Sequence, residues 1–147
     1  MKKRINITVA TGMHEMGGIA TVLNVLNNGF FQQWNMRHVT THTNASRLFG
    51  LNKIFLFIFA LIKLVWFLTF YHVGVIHIHI ASRGSYKRKS LIIRLAKLFN
   101  AKVILHLHGA EFQEFYNNEC SPDKQQHIRN TFNLADAVIV LSTQWYS

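Results

Sequence analysis

The sequence is poor in cysteine, proline and acidic residues. Its 147 residues include one cysteine, Cys120, and one proline, Pro122. A single cysteine excludes an intramolecular disulfide framework and a cysteine-rich zinc finger. One proline with eight glycines excludes the collagen-like and proline-rich classes. Only 15% of the residues are charged, too few for a disordered tail. The length predicts one domain over residues 1–147.

Acidic residues are scarce in most of the chain. Residues 1–110 contain one acid, Glu15, and fourteen basic residues, whereas residues 111–147 contain five acids and two basic residues. This asymmetry, within a net charge of +10, predicts an anionic partner such as acidic lipid headgroups or a phosphorylated ligand. The basic residues are scattered over several elements and no nucleic-acid-binding module is recognisable, so we predict no nucleic-acid partner.

No convincing signal peptide opens the sequence. The apolar segment that follows the basic residues 2–4 is short and is interrupted by Asn6 and Thr8, and no cleavage site of small residues follows it. We therefore expect a cytoplasmic location.

The most hydrophobic stretch covers residues 51–71. As a helix it would be about 31 Å long, close to a membrane span. Lys63 lies in its middle, however, and a central lysine costs on the order of 3 kcal/mol on insertion. We favour a helix buried in the α/β fold that partly touches a membrane surface. A membrane-spanning helix and a buried helix without lipid contact are the alternatives.

Strands alternate with helical segments along the whole chain. The predicted strands are residues 5–9, 37–43, 74–80, 102–107 and 137–141. Helices are predicted after each of the first four, over residues 19–30, over 51–71, after Ser82 or Ser85, and from Ser121–Pro122. This alternation predicts an α/β fold with a doubly wound, mostly parallel sheet, helices on both faces and three layers. Ligands of such sheets bind at the carboxyl ends of the strands.

Four histidines mark the ends of two predicted strands. His77 and His79 alternate along one strand, and His106 and His108 along the next, so each pair lies on one sheet face and the four imidazoles can approach one another. A metal site, and with it a metal-dependent hydrolase, is one interpretation. No zinc-protease spacing is present and Glu111 is the only well-placed carboxylate, so we predict no metal.

Glycines precede the first helix. Free backbone amides and the helix dipole after Gly17 and Gly18 favour an anion, but the spacing is neither G-x-G-x-x-G nor a P-loop. A tight turn explains the two glycines equally well. At another strand end, His108 can donate a hydrogen bond or act as an acid or base, and Gly109 lets a ligand approach the backbone.

In their order and spacing these segments resemble the N-terminal domain of family 4 glycosyltransferases, retaining enzymes built from two Rossmann-like domains (the GT-B fold). The resemblance covers essentially the whole chain. It depends on MGGIA at residues 16–20, VIHIH at 75–79, KVILHLHG at 102–109 and ADAVIVLS at 135–142.

The resemblance implies the acceptor-binding half of a transferase that moves a sugar from a nucleotide-sugar donor to a glycan or lipid-linked glycan. His108 matches the family histidine beside the transferring sugar and is the expected catalytic residue. No metal or other cofactor is implied, since the nucleotide sugar is a co-substrate. The substrate- and phosphate-binding positions that the resemblance implies are Gly17, Gly18, His79, Glu111 and Ser142.

The sequence contains no counterpart of the family's second, donor-binding domain. Glu111 and Glu119 have seven residues between them, as in the family's E-x7-E motif, but they belong to the acceptor half. We therefore expect an incomplete transferase, and whether this chain is itself an enzyme stays open. The alternative is a non-enzymatic peripheral membrane protein that binds the anionic inner membrane face through its basic surface and the apolar helix.

Overall fold

The computed structural model describes residues 2–12, 18–27, 29–43, 50–109 and 111–141. Within these ranges the strands are β1 (Arg4–Thr11), β2 (Met36–His42), β3 (His72–Ile80), β4 (Lys102–Leu107) and β5 (Ala137–Val140). The helices are α1 (Gly18–Asn27), α2 (Phe30–Gln33), α3 (Gly50–Phe70), α4 (Arg83–Leu98), α5 (Phe112–Glu114) and α6 (Pro122–Phe132), with a π-helical segment at Phe115–Glu119.

The strands form one parallel sheet in the order β2-β1-β3-β4-β5. Helices flank this sheet, so the chain has the doubly wound, Rossmann-like α/β fold that the alternating strands and helices predict. The chain divides into two compact units, residues 1–76 and 77–147, and each is best described by itself.

In the first unit, β1 is an interior strand of the sheet. Seven of its eight residues are buried or half-buried, on both faces, as expected for a central parallel strand. Its neighbour β2 pairs in register from Asn6 with Met36 to Ala10 with Thr40. Ala10 also packs in a small core with Leu23 and Phe31, which fastens the first two helices to this strand.

The predicted helix over residues 19–30 is wrong at its end. Gly29 has φ 99°, a conformation that glycine adopts readily and other residues rarely do, and the chain turns there from α1 into α2. As a result Phe30 is 44% exposed whereas Phe31 is buried. The helical spacing of the apolar residues predicts Phe30 on the apolar face only if the helix is uninterrupted.

The long helix α3 packs on β2 through one side only. Ala60 and Leu64 are buried, and Lys63 Nζ donates to the His38 carbonyl at 3.0 Å. The other sides carry nine exposed large hydrophobic residues: Leu51, Ile54, Phe55, Ile58, Phe59, Ile62, Val65, Trp66 and Phe70. By length and composition this is the one helix in the described ranges that is able to cross a membrane, with mean hydropathy 2.2 over residues 51–70.

In the second unit, α4 and α6 pack together. Tyr86 and the isoleucines Ile92 and Ile93 are buried on α4, and the Tyr86 hydroxyl donates to Thr131 Oγ1 on α6 at 3.1 Å. Ser121 caps α6 as predicted, with its hydroxyl accepting from the Lys124 amide. These contacts anchor the helices that follow β3 and β4.

Asp136 connects the start of β4 to the start of β5. Its carboxylate accepts from the Val103 amide at 2.8 Å, and the Val103 carbonyl accepts from the Asp136 amide at 2.9 Å. Lys97 and Lys102 lie 2.9 and 3.1 Å from the same carboxylate. These donors, Lys97 first, hold the pKa of Asp136 well below its usual range.

Candidate functional site at the ends of β3 and β4

The carboxyl ends of β3 and β4 bring two histidines into contact. His79 Nδ1 and His108 Nε2 are 2.8 Å apart, so one ring donates a hydrogen bond to the other. Both side chains are buried. His108 directly follows β4, and its amide donates to the Ile80 carbonyl at 2.7 Å. This backbone bond fixes the two strand ends against each other.

Gly109 makes the turn that leaves β4. Its φ is 125° and its surface is exposed, a backbone conformation that any side chain would strain. This backbone conformation explains why residue 109 is a glycine.

The approach of the four imidazoles predicted from strand alternation is present. His106 is central: its ring centroid lies 5.4 Å from that of His77, 5.1 Å from His79 and 4.2 Å from His108. The rings of His77 and His79 are 4.4 Å apart. Because residues two apart on an extended chain face the same way, β3 contributes His77 and His79 to one face, and β4 with the residue after it contributes His106 and His108.

These histidines are neutral at physiological pH. Burial, reinforced by the neighbouring imidazoles, lowers the pKa of His77 and His108 to about 4 and that of His79 to about 2. Burial also lowers the pKa of His106. A neutral imidazole has one N–H donor and one lone pair, so the site offers paired donors and acceptors without charge.

Several ring nitrogens have no hydrogen-bond partner among the described residues. They are Nε2 of His77, Nε2 of His79 and both ring nitrogens of His106. Buried polar atoms are nearly always hydrogen-bonded, and each exception needs an explanation. The same three residues place one ring nitrogen each within 4.8 Å of the other two.

An ion-pair network lies beyond this cluster. Arg83, the first residue of α4, donates to Glu119 Oε2 through Nε at 3.0 Å and binds Glu111 through Nη1. The two carboxylates keep the pKa of Arg83 above its usual value. Arg83 has φ 51°, a left-handed conformation that is uncommon for residues other than glycine. Such outliers concentrate at functional sites.

Lys89 is a buried cation whose charge acts on the histidine cluster. It lies on α4 and is 0% exposed, and its charge contributes to the lowered pKa of His79. Burial, followed by the charge of Arg88, lowers the pKa of Lys89 to about 7. Near neutral pH this amine is therefore able to give up or accept a proton.

The structure brings two of the residues predicted from the sequence, His79 and His108, into contact. Glu111 lies in the same unit and is bound by Arg83. Gly18 begins α1 in the first unit, and open space surrounds its missing Cβ, so packing there does not require glycine. Gly17 and Ser142 lie outside the described residues.

Sequence reasoning missed Arg83 and Lys89. Lys89 had a recognisable signal, because it lies three residues after Tyr86 and four before Ile93, on the buried side of α4. Arg83 had none, since its partner Glu119 is 36 residues away in the chain. An ion pair between distant residues becomes visible only in the fold.

Comparison with known proteins adds little to this geometry. No family model matches the chain and no curated protein matches it. Among solved structures, S. aureus homoserine dehydrogenase is similar over 95% of this chain and 33% of its own, with 14% identity and a TM-score of 0.40. The chain thus spans about a third of that protein. The fold assignment depends on the strand order and the flanking helices.

Proposed function

We propose that this chain is the acceptor-binding, Rossmann-like domain of a family 4 retaining glycosyltransferase. The observation that carries the proposal is the buried His79–His108 pair at the carboxyl ends of two adjacent parallel strands, 2.8 Å apart. Ligands of doubly wound sheets bind at that edge. The same residues belong to the segments by which the sequence resembles this family.

The chemistry of the pair suits a sugar. A neutral imidazole donates to or accepts from a hydroxyl group without the strong desolvation cost of a charge. Because His108 is held by His79, its ring is pre-oriented before a sugar arrives, which limits the entropy lost on binding. Glu111 and Arg83 at the same edge add acceptors and donors for further hydroxyl groups.

Sugar transfer needs more than this domain. The phosphate of the departing nucleotide develops charge that must be stabilised, by backbone amides and cations, and the resemblance gives that task to a donor-binding domain and to the loop at Gly17 and Gly18. The partners are a nucleotide-sugar donor and a glycan or lipid-linked glycan acceptor. We assign acceptor binding to this chain and do not assign it unaided catalysis.

Glycan binding tests the assignment. The purified chain is screened on a glycan array, and the best ligand is titrated calorimetrically against wild type, His108→Gln and the control His72→Gln, which changes an exposed histidine at the start of β3. We expect His108→Gln to lose at least tenfold in affinity, about 1.4 kcal/mol, and the control to lose none. Equal affinities for the three proteins, or no glycan bound at all, would refute the proposal.

A second candidate function is peripheral membrane binding at the inner face, supported by the nine exposed hydrophobic residues of α3. Contiguous exposed apolar surface of this kind marks interaction sites. Lys63 does not count against lipid contact, because its ammonium turns towards the His38 carbonyl. The contacts of α3 with β2 favour a helix lying on the membrane over one that crosses it.

Vesicle co-sedimentation tests this second function. Phe55 and Phe59 are 66% and 64% exposed, and removing either ring from lipid should cost about 1–2 kcal/mol. We expect Phe55→Ser/Phe59→Ser to lose most binding to phosphatidylserine-containing vesicles, whereas Val25→Ser, an equally exposed position on α1, keeps it. Binding to anionic vesicles should also weaken with salt. Indifference of the wild type to vesicles removes this function.

A further inference from the structure

The histidine cluster has a chemical property that sugar binding does not use. His79 is 0% exposed and His106 is 9% exposed, yet His79 Nε2 and both ring nitrogens of His106 lack hydrogen-bond partners among the described residues. His77 Nε2 also lacks a hydrogen-bond partner among the described residues. Burying such atoms without partners is costly, so a group that satisfies them would stabilise this end of the sheet.

The unpartnered nitrogens belong to side chains that converge. His77, His79 and His106 each offer a ligand nitrogen, and these nitrogens all lie within 4.8 Å of one another. Around zinc, with Zn–N distances of about 2.0–2.1 Å, tetrahedral ligand nitrogens lie roughly 3.4 Å apart. Metal binding therefore requires the ring nitrogens to approach one another by up to about 1.4 Å.

We propose that His77, His79 and His106 form a binding site for a divalent transition-metal ion, with Zn²⁺ as the expected occupant. Imidazole nitrogen is a preferred ligand of zinc, copper and nickel and a poor one for calcium or magnesium. Three protein ligands leave a fourth tetrahedral position for water or another donor. The proposal is independent of the glycosyltransferase assignment, because it uses only these side chains.

His108 is not one of the proposed ligands, but it is hydrogen-bonded to His79, which is one of them. Histidines that bind metals usually donate their other ring N–H to an acceptor, which fixes the tautomer. His79 has that arrangement: if Nδ1 donates to His108 Nε2 over their 2.8 Å contact, the Nε2 lone pair of His79 is left for the metal.

Lys89 opposes a cation at this position. Its charge acts on His79, and Arg88 lies beside it in the chain. Burial lowers the pKa of Lys89 to about 7, so its opposition is weaker than that of an ordinary lysine.

Metal analysis of the purified, untagged full chain tests the site. The protein is stripped with chelator, dialysed against Zn²⁺ and analysed for bound metal, and Co²⁺ is titrated in parallel because its visible spectrum reports the coordination geometry. We expect one equivalent of Zn²⁺ and a tetrahedral Co²⁺ spectrum. His79→Gln and His106→Gln should each weaken Zn²⁺ binding at least tenfold, whereas His72→Gln and Cys120→Ser should leave it unchanged.

Two further measurements keep the result decisive. Far-UV circular dichroism of the metal-free variants separates loss of ligands from loss of fold. If both variants unfold, X-ray absorption of the zinc-loaded wild type must show a first shell containing three imidazole nitrogens. No Zn²⁺ retained by the wild type, a shell dominated by sulfur or carboxylate, or full retention by folded His79→Gln would overturn the proposal. Failure of glycan binding would not affect it.

Discussion

Truncation of Leu64 tests how α3 belongs to the fold. Leu64 is 0% exposed on the side of α3 that faces β2, whereas Ile62, two residues earlier, is 61% exposed. Removing a fully buried leucine side chain costs its transfer free energy plus a cavity term, about 2–5 kcal/mol in all. Ile62→Ala leaves no cavity and should change stability by no more than roughly 0.5 kcal/mol. The expected difference in free energy of unfolding between the two variants is therefore about 1.5–5 kcal/mol.

Urea denaturation in detergent-free buffer, followed by circular dichroism, measures both variants. For a chain of this size each kcal/mol lowers the melting temperature by about 2–4 °C, so Leu64→Ala should also melt roughly 5–15 °C below wild type while Ile62→Ala melts with it. Unchanged slopes of free energy against urea concentration would show that both variants expose the same amount of surface on unfolding as the wild type. Equal losses at the two positions, or no loss at either, would refute the packing of α3 on β2.

Three other substitutions are assayed in the same way. Lys89→Met should change how stability depends on pH, because the amine of the wild type has a lower pKa in the folded than in the unfolded chain. Between pH 7 and 10.5, the folded and ordinary pKa values of Lys89, the free energy of unfolding of the wild type should rise relative to that of the variant. The reason is that over this range the unfolded chain binds the proton more strongly than the folded chain. A difference between the two proteins that stays constant with pH contradicts this. Asp136→Ala should cost about 1–2 kcal/mol at pH 7, since the Val103 amide loses its acceptor. Because the pKa of Asp136 is depressed, that cost should shrink below about pH 4, and a cost independent of pH would count against the carboxylate. Gly74→Ala should cost about 1–3 kcal/mol, as its Cβ would lie 2.7 Å from Asn6 Oδ1; wild-type stability would show that Asn6 yields freely.

The fold was predictable because its signals are local. The predicted strands over residues 74–80 and 102–107 are largely apolar, and β3 and β4 lie within two residues of those bounds. Ser121 and Pro122 marked the start of α6 correctly. The break at Gly29 was not predictable from periodicity, because an isolated glycine in a helical pattern does not reveal its φ angle.

The candidate site was predictable only in part. Strand alternation was enough to place His77 with His79 and His106 with His108, and the adjacency of β3 and β4 follows from the sheet order. Alternation gives no distances, so the convergence of three ring nitrogens within 4.8 Å had to come from the structure. The choice of Arg83 as the partner of two glutamates depends on side-chain reach across distant segments, which no local pattern encodes.

The proposed metal site and the proposed sugar site meet at one hydrogen bond. A metal ion on His79 Nε2 makes Nδ1 a stronger donor, and Nδ1 lies 2.8 Å from His108 Nε2. His108 must then accept at Nε2 and carry its proton on Nδ1, so its ring is restricted to one tautomer with a donor left for a ligand. Without metal the two rings are free to exchange donor and acceptor roles, and part of the population presents the wrong atom. We therefore expect the affinity of the wild type for its glycan to fall when a chelator removes the metal and to recover with Zn²⁺, whereas His106→Gln should bind the glycan equally with and without Zn²⁺. Calorimetric titration in the two buffers measures this, and glycan affinity indifferent to metal in a protein that retains zinc would separate the two sites.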